Sequence, residues 1–263
     1  MPCPTFARHG VERAAICGRF FLQRDPAGIA EYFEAGGPVP NHPPSWNVAP
    51  TQDSLVLRRN PETGERALSV LRWGLVPRWA KDPSGGARLM NARSDGVAEK
   101  PSFRDAFRKR RCLVPMDGFY EWMEARPEPR EVAGPARGKP RGAKQPYAVS
   151  LASGEPMAVA GLWEGWKSAE SGEWLRTFSV ITTDANARQA VVHHRMPALL
   201  ARADWPVWLG EAEGDALALL RPCPPDWLRF RAVSARVGKV AENDAGLMEP
   251  EPGIDIPAEL QDA

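Results

Sequence analysis

Six short apolar segments, each bounded by Gly, Pro or polar residues, constrain the fold of this chain more than any other feature of its sequence. Each is rich in Val, Leu or Ile, the composition of a β-strand. They cover residues 54–58, 67–71, 111–116, 147–151, 157–163 and 177–183. Helical patterns are fewer and do not alternate regularly with these segments. The sequence therefore predicts an α+β fold with a curved, mostly antiparallel, barrel-like β core.

Four segments predict helices that flank this core. Phe103 and Phe107 stand four residues apart among charges, the spacing of one face of an amphipathic helix, within residues 99–111. The other predicted helices cover residues 26–34, 185–192 and 204–209. A chain of 263 residues with 43% hydrophobic residues can bury one sizeable core, so we expect one main domain over residues 17–243.

Three regions lie outside the predicted core. Residues 124–145 are crowded with Pro, Gly and basic residues and predict an exposed insertion between two strands. Residues 244–263 are acidic and Pro-rich and predict a tail on the surface or a disordered one. Residues 1–16 include Arg8 and Glu12 where a signal peptide would be apolar, and no run approaches the roughly 18 apolar residues of a membrane span. We expect a cytoplasmic protein with no membrane partner.

The cysteines do not predict a metal centre. Cys3, Cys17, Cys112 and Cys223 are widely spaced, without the paired Cys or His clusters of zinc sites or the framework of a small disulfide scaffold. We therefore expect no metal and no other cofactor. Cys112 and Cys223 fit the ordinary role of a small buried hydrophobic residue.

Charge is unevenly distributed, although the net charge is only +1. Basic residues cluster between positions 100 and 111: Lys100, Arg104, Arg108, Lys109, Arg110 and Arg111. Such a cluster indicates a local anionic ligand or a solvated helix face, and charge alone does not decide between them.

Three positions have local settings suited to catalysis. Cys17 precedes a flexible glycine and Arg19, a cation that favours the thiolate. Glu121 stands between aromatic residues that would desolvate it and favour the protonated acid, although a solvent-facing Glu on an alternating strand fits the segment equally well. His193 precedes a cation and a proline, and because adjacent imidazoles point in different directions we expect only one of His193 and His194 to be catalytic.

Three further side chains are suited to binding or positioning a substrate. The Asn91 amide can orient a nucleophile, and the Arg93 guanidinium matches a phosphate group. Trp79 lies among turn residues and can stack on an unpaired base, although packing in a core is the commoner role of tryptophan.

Eight sequence blocks in this order resemble the SOS-response-associated peptidase family, also called abasic-site-processing proteins. The blocks are Cys-Gly-Arg-Phe at 17–20, Trp-Asn-Val-Ala-Pro at 46–50, Trp-Gly-Leu-Val-Pro-Arg-Trp at 73–79, Asn-Ala-Arg at 91–93, Arg-Cys-Leu-Val-Pro at 111–115, Gly-Phe-Tyr-Glu-Trp at 118–122, Gly-Leu-Trp-Glu at 161–164 and His-His-Arg-Met-Pro at 193–197. The resemblance spans almost all of residues 17–243.

The resemblance implies an enzyme that crosslinks to abasic sites in single-stranded DNA, with a self-processing peptidase activity. In that family the α-amine of an N-terminal cysteine forms a Schiff base with the ring-opened sugar, and its thiol closes a thiazolidine. Cys17 matches the crosslinking residue, Asn91 the amide that positions its amine, and Glu121 the acid/base carboxylate. His193 matches the imidazole that helps to open the sugar and to reverse the link.

The resemblance also implies the DNA contacts and the oligomeric state. Arg19, Arg93 and Arg195 match phosphate-contacting cations, and Trp79 is the candidate for base stacking. We expect the protein to act as a monomer that is associated with the nucleoid when bound to DNA.

Two features depart from the family pattern. Sixteen residues precede Cys17, and a peptide nitrogen there cannot form a Schiff base, so either residues 1–16 are removed or the true start lies at Cys17. His194 stands where the family usually has Asp or Asn. Two other functions use the same residues: an N-terminal-nucleophile thiol amidohydrolase or peptidase acting on other substrates, and a non-catalytic module that binds single-stranded nucleic acid.

Overall fold

Short β-strands account for most of the regular structure in a computed structural model that describes residues 18–124 and 144–261. In the described residues the strands are β1 Phe20–Leu22, β2 Ser45–Val48, β3 Asp53–Arg59, β4 Arg66–Trp73, β5 Asn91–Arg93, β6 Arg111–Met116, β7 Gly118–Glu124, β8 Lys144–Leu151, β9 Met157–Lys167, β10 Trp174–Asp184, β11 Arg195–Pro197 and β12 Leu228–Ala232. The α-helices are α1 Pro26–Tyr32, α2 Arg104–Lys109 and α3 Trp205–Leu209. All six predicted strands are present.

Five strands close into a ring. Strand β3 pairs with β4 and β6, β6 pairs with β9, β9 pairs with β10, and β10 pairs with β4. Only the contacts of β10 with β4 and with β5 are parallel among the pairings described. Closure of the ring leaves few strand edges exposed. The expected α+β fold with a curved, mostly antiparallel, barrel-like core is therefore confirmed.

A second sheet packs against this ring. Its five strands run in the order β12, β8, β7, β1 and β2. The core between the two sheets contains Phe20, Phe119 and Tyr147 from the second sheet and Trp73 and Phe178 from the ring. Another cluster joins the ring to α1 and α3. The molecule is thus layered, with Trp73 between the sheets and Trp205 and Trp208 between the ring and the helices.

The helices are shorter than the sequence predicts. Of residues 99–111, only Arg104–Lys109 forms an α-helix, and of residues 185–192 only Gln189–Val191 forms a single 3-10 turn. The prediction of a helix over 185–192 is wrong. Asn186 Oδ1 accepts a hydrogen bond from Gln189 N at 2.9 Å, and Asn186 Nδ2 donates to Cys223 O at 3.0 Å. This side chain replaces helical bonding with a local turn.

The segment after Asn243 lies on the domain and is anchored to it. Leu247 and Leu260 are buried, and Glu251 N donates to Ala232 O at 2.9 Å. Of the two expected alternatives, a tail on the surface or a disordered one, the structure shows the first. Two side chains of this surface segment, Leu247 and Leu260, are buried. Nearly all of the predicted insertion at 124–145 falls outside the described residues, as do residues 1–17. No helix in the described ranges is long and apolar enough to cross a membrane.

Candidate functional site

The chain that follows Cys17 runs beside the strand that carries Glu121. Cys17 itself lies outside the described residues, and the described chain begins at Gly18, which is buried. Arg19 O accepts a hydrogen bond from Tyr120 N at 3.0 Å. Continuing the antiparallel register of β1 and β7 by two residues beyond the Phe20–Phe119 pair sets Gly18 opposite Glu121.

Glu121 faces the core between the two sheets and is only 3% exposed. Successive strand residues face opposite sides. Phe119 packs into the core between the sheets, whereas Tyr120 and Trp122 belong to a separate cluster. The aromatic neighbours therefore do not enclose Glu121 as the sequence suggested. Its burial comes from the packing of the sheets, with Tyr147 directly opposite on β8.

The Arg19 side chain lies on the other face of the same sheet. Its guanidinium donates to Gly18 O and to Gly238 O, each at 3.3 Å. Burial lowers the pKa of this guanidinium. Arg19 shares its strand face with Phe21, which packs in the cluster of Tyr120. The structure thus brings the Arg19 backbone to the Glu121 strand but turns its side chain away.

Asn91 begins β5 and is fixed to the core into which Glu121 faces. It is half-buried and pairs with Val180 of β10. The preceding carbonyl, Met90 O, accepts hydrogen bonds from Trp73 Nε1 and from Val180 N, each at 2.9 Å. Trp73 in turn contacts Phe20, with ring centroids 5.1 Å apart. These contacts connect the Asn91 segment to the strand that follows Cys17.

Arg93 lies two residues further along β5 and is held by a neighbouring carboxylate. Its Nε and Nη2 donate to the two Asp95 oxygens at 2.9 and 2.7 Å. These hydrogen bonds raise the pKa of Arg93 and lower the pKa of Asp95. Both side chains are exposed. Because exposed ion pairs contribute only about 0–1 kcal/mol, a phosphate group can replace Asp95 at low cost.

Arg195 occupies the opposite side of β10 and is buried, with only 2% exposed. Its Nη1 donates to Asp184 Oδ1 at 2.8 Å, and its Nη2 donates to Thr182 O at 2.6 Å. Thr182 pairs with Arg93 on one side and with Pro197 on the other. Arg195 pairs with Asp184, two residues further along β10. Since neighbouring strands lie about 4.8 Å apart and successive residues rise about 3.3 Å, the backbones of the two arginines are about 12 Å apart across the end of β10.

His193 is fixed by the backbone of Arg195. Arg195 N donates to His193 Nδ1 at 3.1 Å, and Arg195 O lies 3.3 Å from the same nitrogen. The shorter contact, with the Arg195 N–H, corresponds to the neutral tautomer in which Nδ1 accepts and Nε2 carries the proton, whereas the longer contact, with Arg195 O, corresponds to a ring with a proton on Nδ1. In the first of these forms the imidazole presents an N–H donor on the side that faces away from Arg195.

Burial lowers the pKa of His193. The contact of Nδ1 with Arg195 O, which favours the protonated ring, opposes this effect, whereas positive charge on His194, Lys144 and Arg195 lowers the pKa further. The rings of His193 and His194 lie side by side, with centroids 4.3 Å apart, and His194 is the exposed one. His193 is therefore neutral in most molecules at pH 7.

The predicted site residues fall into two groups. Gly18 and Glu121 lie on the five-stranded sheet, and Asn91, Arg93, His193 and Arg195 lie around the end of β10. Trp73 connects the two groups, because its ring contacts Phe20 and its Nε1 donates to Met90 O. The charge of Lys144, which pairs with Glu124, lowers the pKa of His193.

Trp79 belongs to neither group and lies on an exposed turn. It is 66% exposed, and the turn is held by Ala80 N donating to Pro77 O at 2.9 Å. The turn follows Gly74, whose φ is +119°, and a Cβ there would lie 2.9 Å from Gly86 O. Only glycine suits this position. The Trp79 ring therefore lies on the surface, where a base can stack on it, and not in the core.

The sequence did not identify four residues that shape these groups. They are Asp95, Asp184, Lys144 and Tyr147. Asp95 stands two residues after Arg93, a spacing that allows a local ion pair. The other three reach the site only through strand pairing, and the sequence alone does not reveal which strands pair.

The described residues contain no group of three or more His, Cys, Asp or Glu side chains that could hold a metal ion. Cys112 and Cys223 are buried, and burial raises the pKa of the Cys223 thiol to about 12. Neither thiol is suited to act as a nucleophile at neutral pH.

Comparison with known proteins identifies relatives over most of the chain. The abasic site processing protein YoqW of Bacillus subtilis is 35% identical over 239 residues, which cover 89% of this chain and 99% of the relative. The abasic site processing protein HMCES of Gallus gallus is 32% identical over 79% of this chain and 66% of its own length. A crystal structure of a Bacteroides thetaiotaomicron protein shares the fold, with a TM-score of 0.74 at 24% identity, covering 89% of this chain and 100% of that one.

A family model gives the same assignment. The model described as SOS response associated peptidase (SRAP) matches residues 16–240. The matched range contains all of the candidate site residues. The chain belongs to the SOS response associated peptidase family.

Proposed function

We propose that this protein captures abasic sites in single-stranded DNA by forming a thiazolidine with the amine and thiol of Cys17. The proposal rests on one observation above all: the hydrogen bond between Arg19 O and Tyr120 N sets Gly18 opposite the buried Glu121. Cys17 is bonded to Gly18, and consecutive Cα atoms are about 3.8 Å apart. The position of Gly18 beside Glu121 therefore supports Glu121 as the carboxylate that serves the amine of Cys17.

The reaction uses the only amino acid that carries an amine and a thiol two carbons apart at a chain terminus. The neutral α-amine adds to the C1′ aldehyde of the ring-opened sugar and gives a carbinolamine. Loss of water, with a proton delivered to the departing hydroxyl by Glu121, gives the Schiff base. The thiol sulfur then adds to the imine carbon and its proton passes to the nitrogen, which closes the five-membered ring. An α-amine with an ordinary pKa of about 8 is partly neutral near pH 7.

Asn91 and His193 prepare the reacting groups. In this proposal the Asn91 side chain accepts a hydrogen bond from the amine of Cys17. The bonds from Trp73 and Val180 to Met90 O support this role, because they hold the backbone that precedes Asn91. The Nε2–H of neutral His193 is a donor that can bind the sugar hydroxyl or the ring oxygen. These assignments give each polar group of the site one task in opening the sugar, forming the link or reversing it.

The arginines and Trp79 bind the strand on either side of the abasic sugar. Arg93 exchanges Asp95 for a phosphate, and Trp79 stacks on a base. Arg19 and Arg195 are held by protein acceptors, so they contribute positive charge near the strand and hold their own segments in place. Phosphate contacts carry no base information, which suits a protein that must act at any sequence.

The working protein begins at Cys17 in this proposal, because only a terminal amine forms a Schiff base. Removal of residues 1–16 by the protein's own Cys17 chemistry would account for the peptidase activity in the family name. Abasic nucleotides enter a pocket at low cost, since they have no base to unstack.

The test mixes purified protein with single-stranded DNA that contains one abasic site and sequences the protein in the gel-stable adduct. We expect an adduct whose protein begins at Cys17. The Cys17→Ser variant should lose the stable adduct and retain a Schiff base that borohydride traps. An adduct formed by protein that still begins at Met1, or an unchanged yield with Cys17→Ser, would contradict the thiazolidine mechanism.

A further inference from the structure

A basic cleft lies at one end of the ring. It is lined by the β3–β4 turn, the α2–β6 junction, the start of β10 and the loop that follows β4. Its volume is about 620 Å³. The cations that line this basic cleft are Arg59, Arg78, Arg108, Lys109, Arg110 and Arg111. No carboxylate is among the described residues that line it. Four of the six cations come from the basic run that the sequence analysis left without a role.

Three of these cations are used by the fold. Arg59 donates to Gly64 O and Gly210 O, at 3.0 and 2.8 Å. Arg111 donates to Phe107 O and to carbonyls at the end of α3. Arg110 forms an ion pair with the buried Glu164. These contacts hold the positive walls of the basic cleft in place.

The other three cations are available to a ligand. The side chains of Arg78, Arg108 and Lys109 are exposed, and Arg108 and Lys109 lie in the last turn of α2. Glu164, which pairs with Arg110, also accepts a hydrogen bond from Arg78 N at 3.2 Å, but it does not line the cleft. A cleft with three exposed cations and no carboxylate among its described lining residues favours a ligand with several negative charges.

Aromatic surface accompanies this charge. Trp163 and Trp174 line the basic cleft, and Trp174 is 57% exposed. Trp79 directly follows Arg78 and is also exposed. Exposed tryptophan beside a row of cations is the combination that binds single-stranded nucleic acid, because bases stack on the rings while phosphates meet the charges.

The basic cleft lies apart from the site around Asn91. Trp174 begins β10, and Val180, which pairs with Asn91, lies six residues along the same strand. At 3.3 Å per residue the separation is about 20 Å. A stacked strand that rises about 3.4 Å per nucleotide covers this distance in roughly six nucleotides. The Trp79 turn lies on the same part of the ring, since Trp166 of β9 donates to Ala80 O at 2.7 Å.

We propose that the basic cleft is a second DNA site, which binds the single strand several nucleotides away from the abasic sugar. The proposal rests on the proposed function, and it assigns the phosphates to Arg78, Arg108 and Lys109 and one base to Trp174. Binding at two separate sites raises the overall affinity without a new contact at the reacting sugar. The cleft thereby holds the strand while the abasic nucleotide enters the site.

The test measures the binding of a labelled, undamaged 20-nucleotide single strand to the full chain by fluorescence anisotropy over a series of salt concentrations. The first variant is the double substitution Arg108→Gln and Lys109→Gln. Each phosphate contact on a single strand contributes about 0.7 to the log–log salt slope, so the slope should fall by about 1.4 and the affinity at 0.15 M salt by about tenfold. Trp174→Ala should weaken binding at least about fivefold.

The matched control removes the same charge from another sheet. Arg229 and Arg231 are exposed on β12, alternate with buried residues and line no part of the basic cleft. The double substitution Arg229→Gln and Arg231→Gln should therefore leave the affinity close to that of the unchanged protein. Circular dichroism of each variant shows whether it is folded.

Several outcomes would overturn the proposal. One is equal affinity and equal salt slope for the cleft variants and the unchanged protein. Another is an equal loss in the β12 control, which would show a general effect of charge. Displacement of the strand by tripolyphosphate at equal phosphate concentration, with no effect of Trp174→Ala, would assign the cleft to a small anion. The binding test uses undamaged DNA and does not depend on crosslinking. A missing adduct in the test with abasic DNA would therefore contradict the crosslinking proposal and leave the second site unaffected.

Discussion

Burial lowers the pKa of the candidate catalytic imidazole of His193, and His194, which departs from the family pattern, adds to that effect. Its positive charge, 4.3 Å away between ring centroids, lowers the pKa of His193. A carboxylate in its place would favour the protonated ring instead. We predict that His194→Asp raises the pKa of His193, so that a larger fraction of His193 is protonated between pH 6 and 7.

An NMR titration of the imidazole carbons measures this effect directly. His194→Gln is the control, because it removes the charge without adding the opposite one and should give a pKa between those of the two proteins. A His193 pKa that is the same in His194→Asp as in the unchanged protein would show that the two rings do not interact electrostatically.

Single residues could be proposed for the site where the chemistry lies in the side chain itself, and their roles remain predictions. Cys17, Glu121 and His193 stand in short blocks whose residue types suit a nucleophile, an acid and an imidazole. The sequence could not show that Arg195 is buried against Asp184, because that contact joins two strands through their register. It gave the wrong reason for the burial of Glu121, since neighbours along a strand face away from each other.

Strand β7 carries Glu121, and its first residue must be a glycine. A Cβ on Gly118 would lie 2.3 Å from Val149 O and 2.4 Å from Phe21 Cζ. Both neighbouring strands would have to move, and overpacking of this kind costs about 1–3 kcal/mol. We predict that Gly118→Ala lowers the free energy of unfolding by about that amount and slows crosslinking, because β7 positions the carboxylate.

Urea unfolding compares this variant with Gly238→Ala, where a Cβ meets nothing within 4 Å and φ is not in the left-handed region. The control should change stability by less than about 0.5 kcal/mol. If Gly118→Ala were as stable as the control, the close pairing of β7 with β1 and β8 would not be required.

Elements were predictable from the sequence when they were long enough to show a pattern. The six apolar segments form strands rich in β-branched and aliphatic residues, most of which are buried, although Val70 of β4 is exposed. Strands β5 and β11 have three residues each and exist only because both pair with β10 near Thr182. No local pattern indicates such strands, and they carry Asn91, Arg93 and Arg195.

At the scale of the whole molecule, the last segment of the chain completes the core between the sheets. Leu260 is buried in that core. Arg188 donates to Leu228 O, Leu260 O and Gln261 O, at 2.6, 2.7 and 3.0 Å. The acidic composition of residues 244–263 suggested a tail, because two buried leucines among many polar residues give no periodic signal.

Because Leu260 packs in the core between the sheets, we predict that its truncation lowers the stability of the whole domain. Leu260→Ala removes a fully buried side chain, which costs about 2–5 kcal/mol. For a domain of this size each kcal/mol lowers Tm by roughly 2–4 °C. Calorimetry should therefore show a clear decrease in Tm for Leu260→Ala and almost none for Val240→Ala, whose side chain is exposed. Equal Tm values in the two variants would mean that the segment does not belong to the core in solution, since only a docked leucine leaves a cavity when it is truncated.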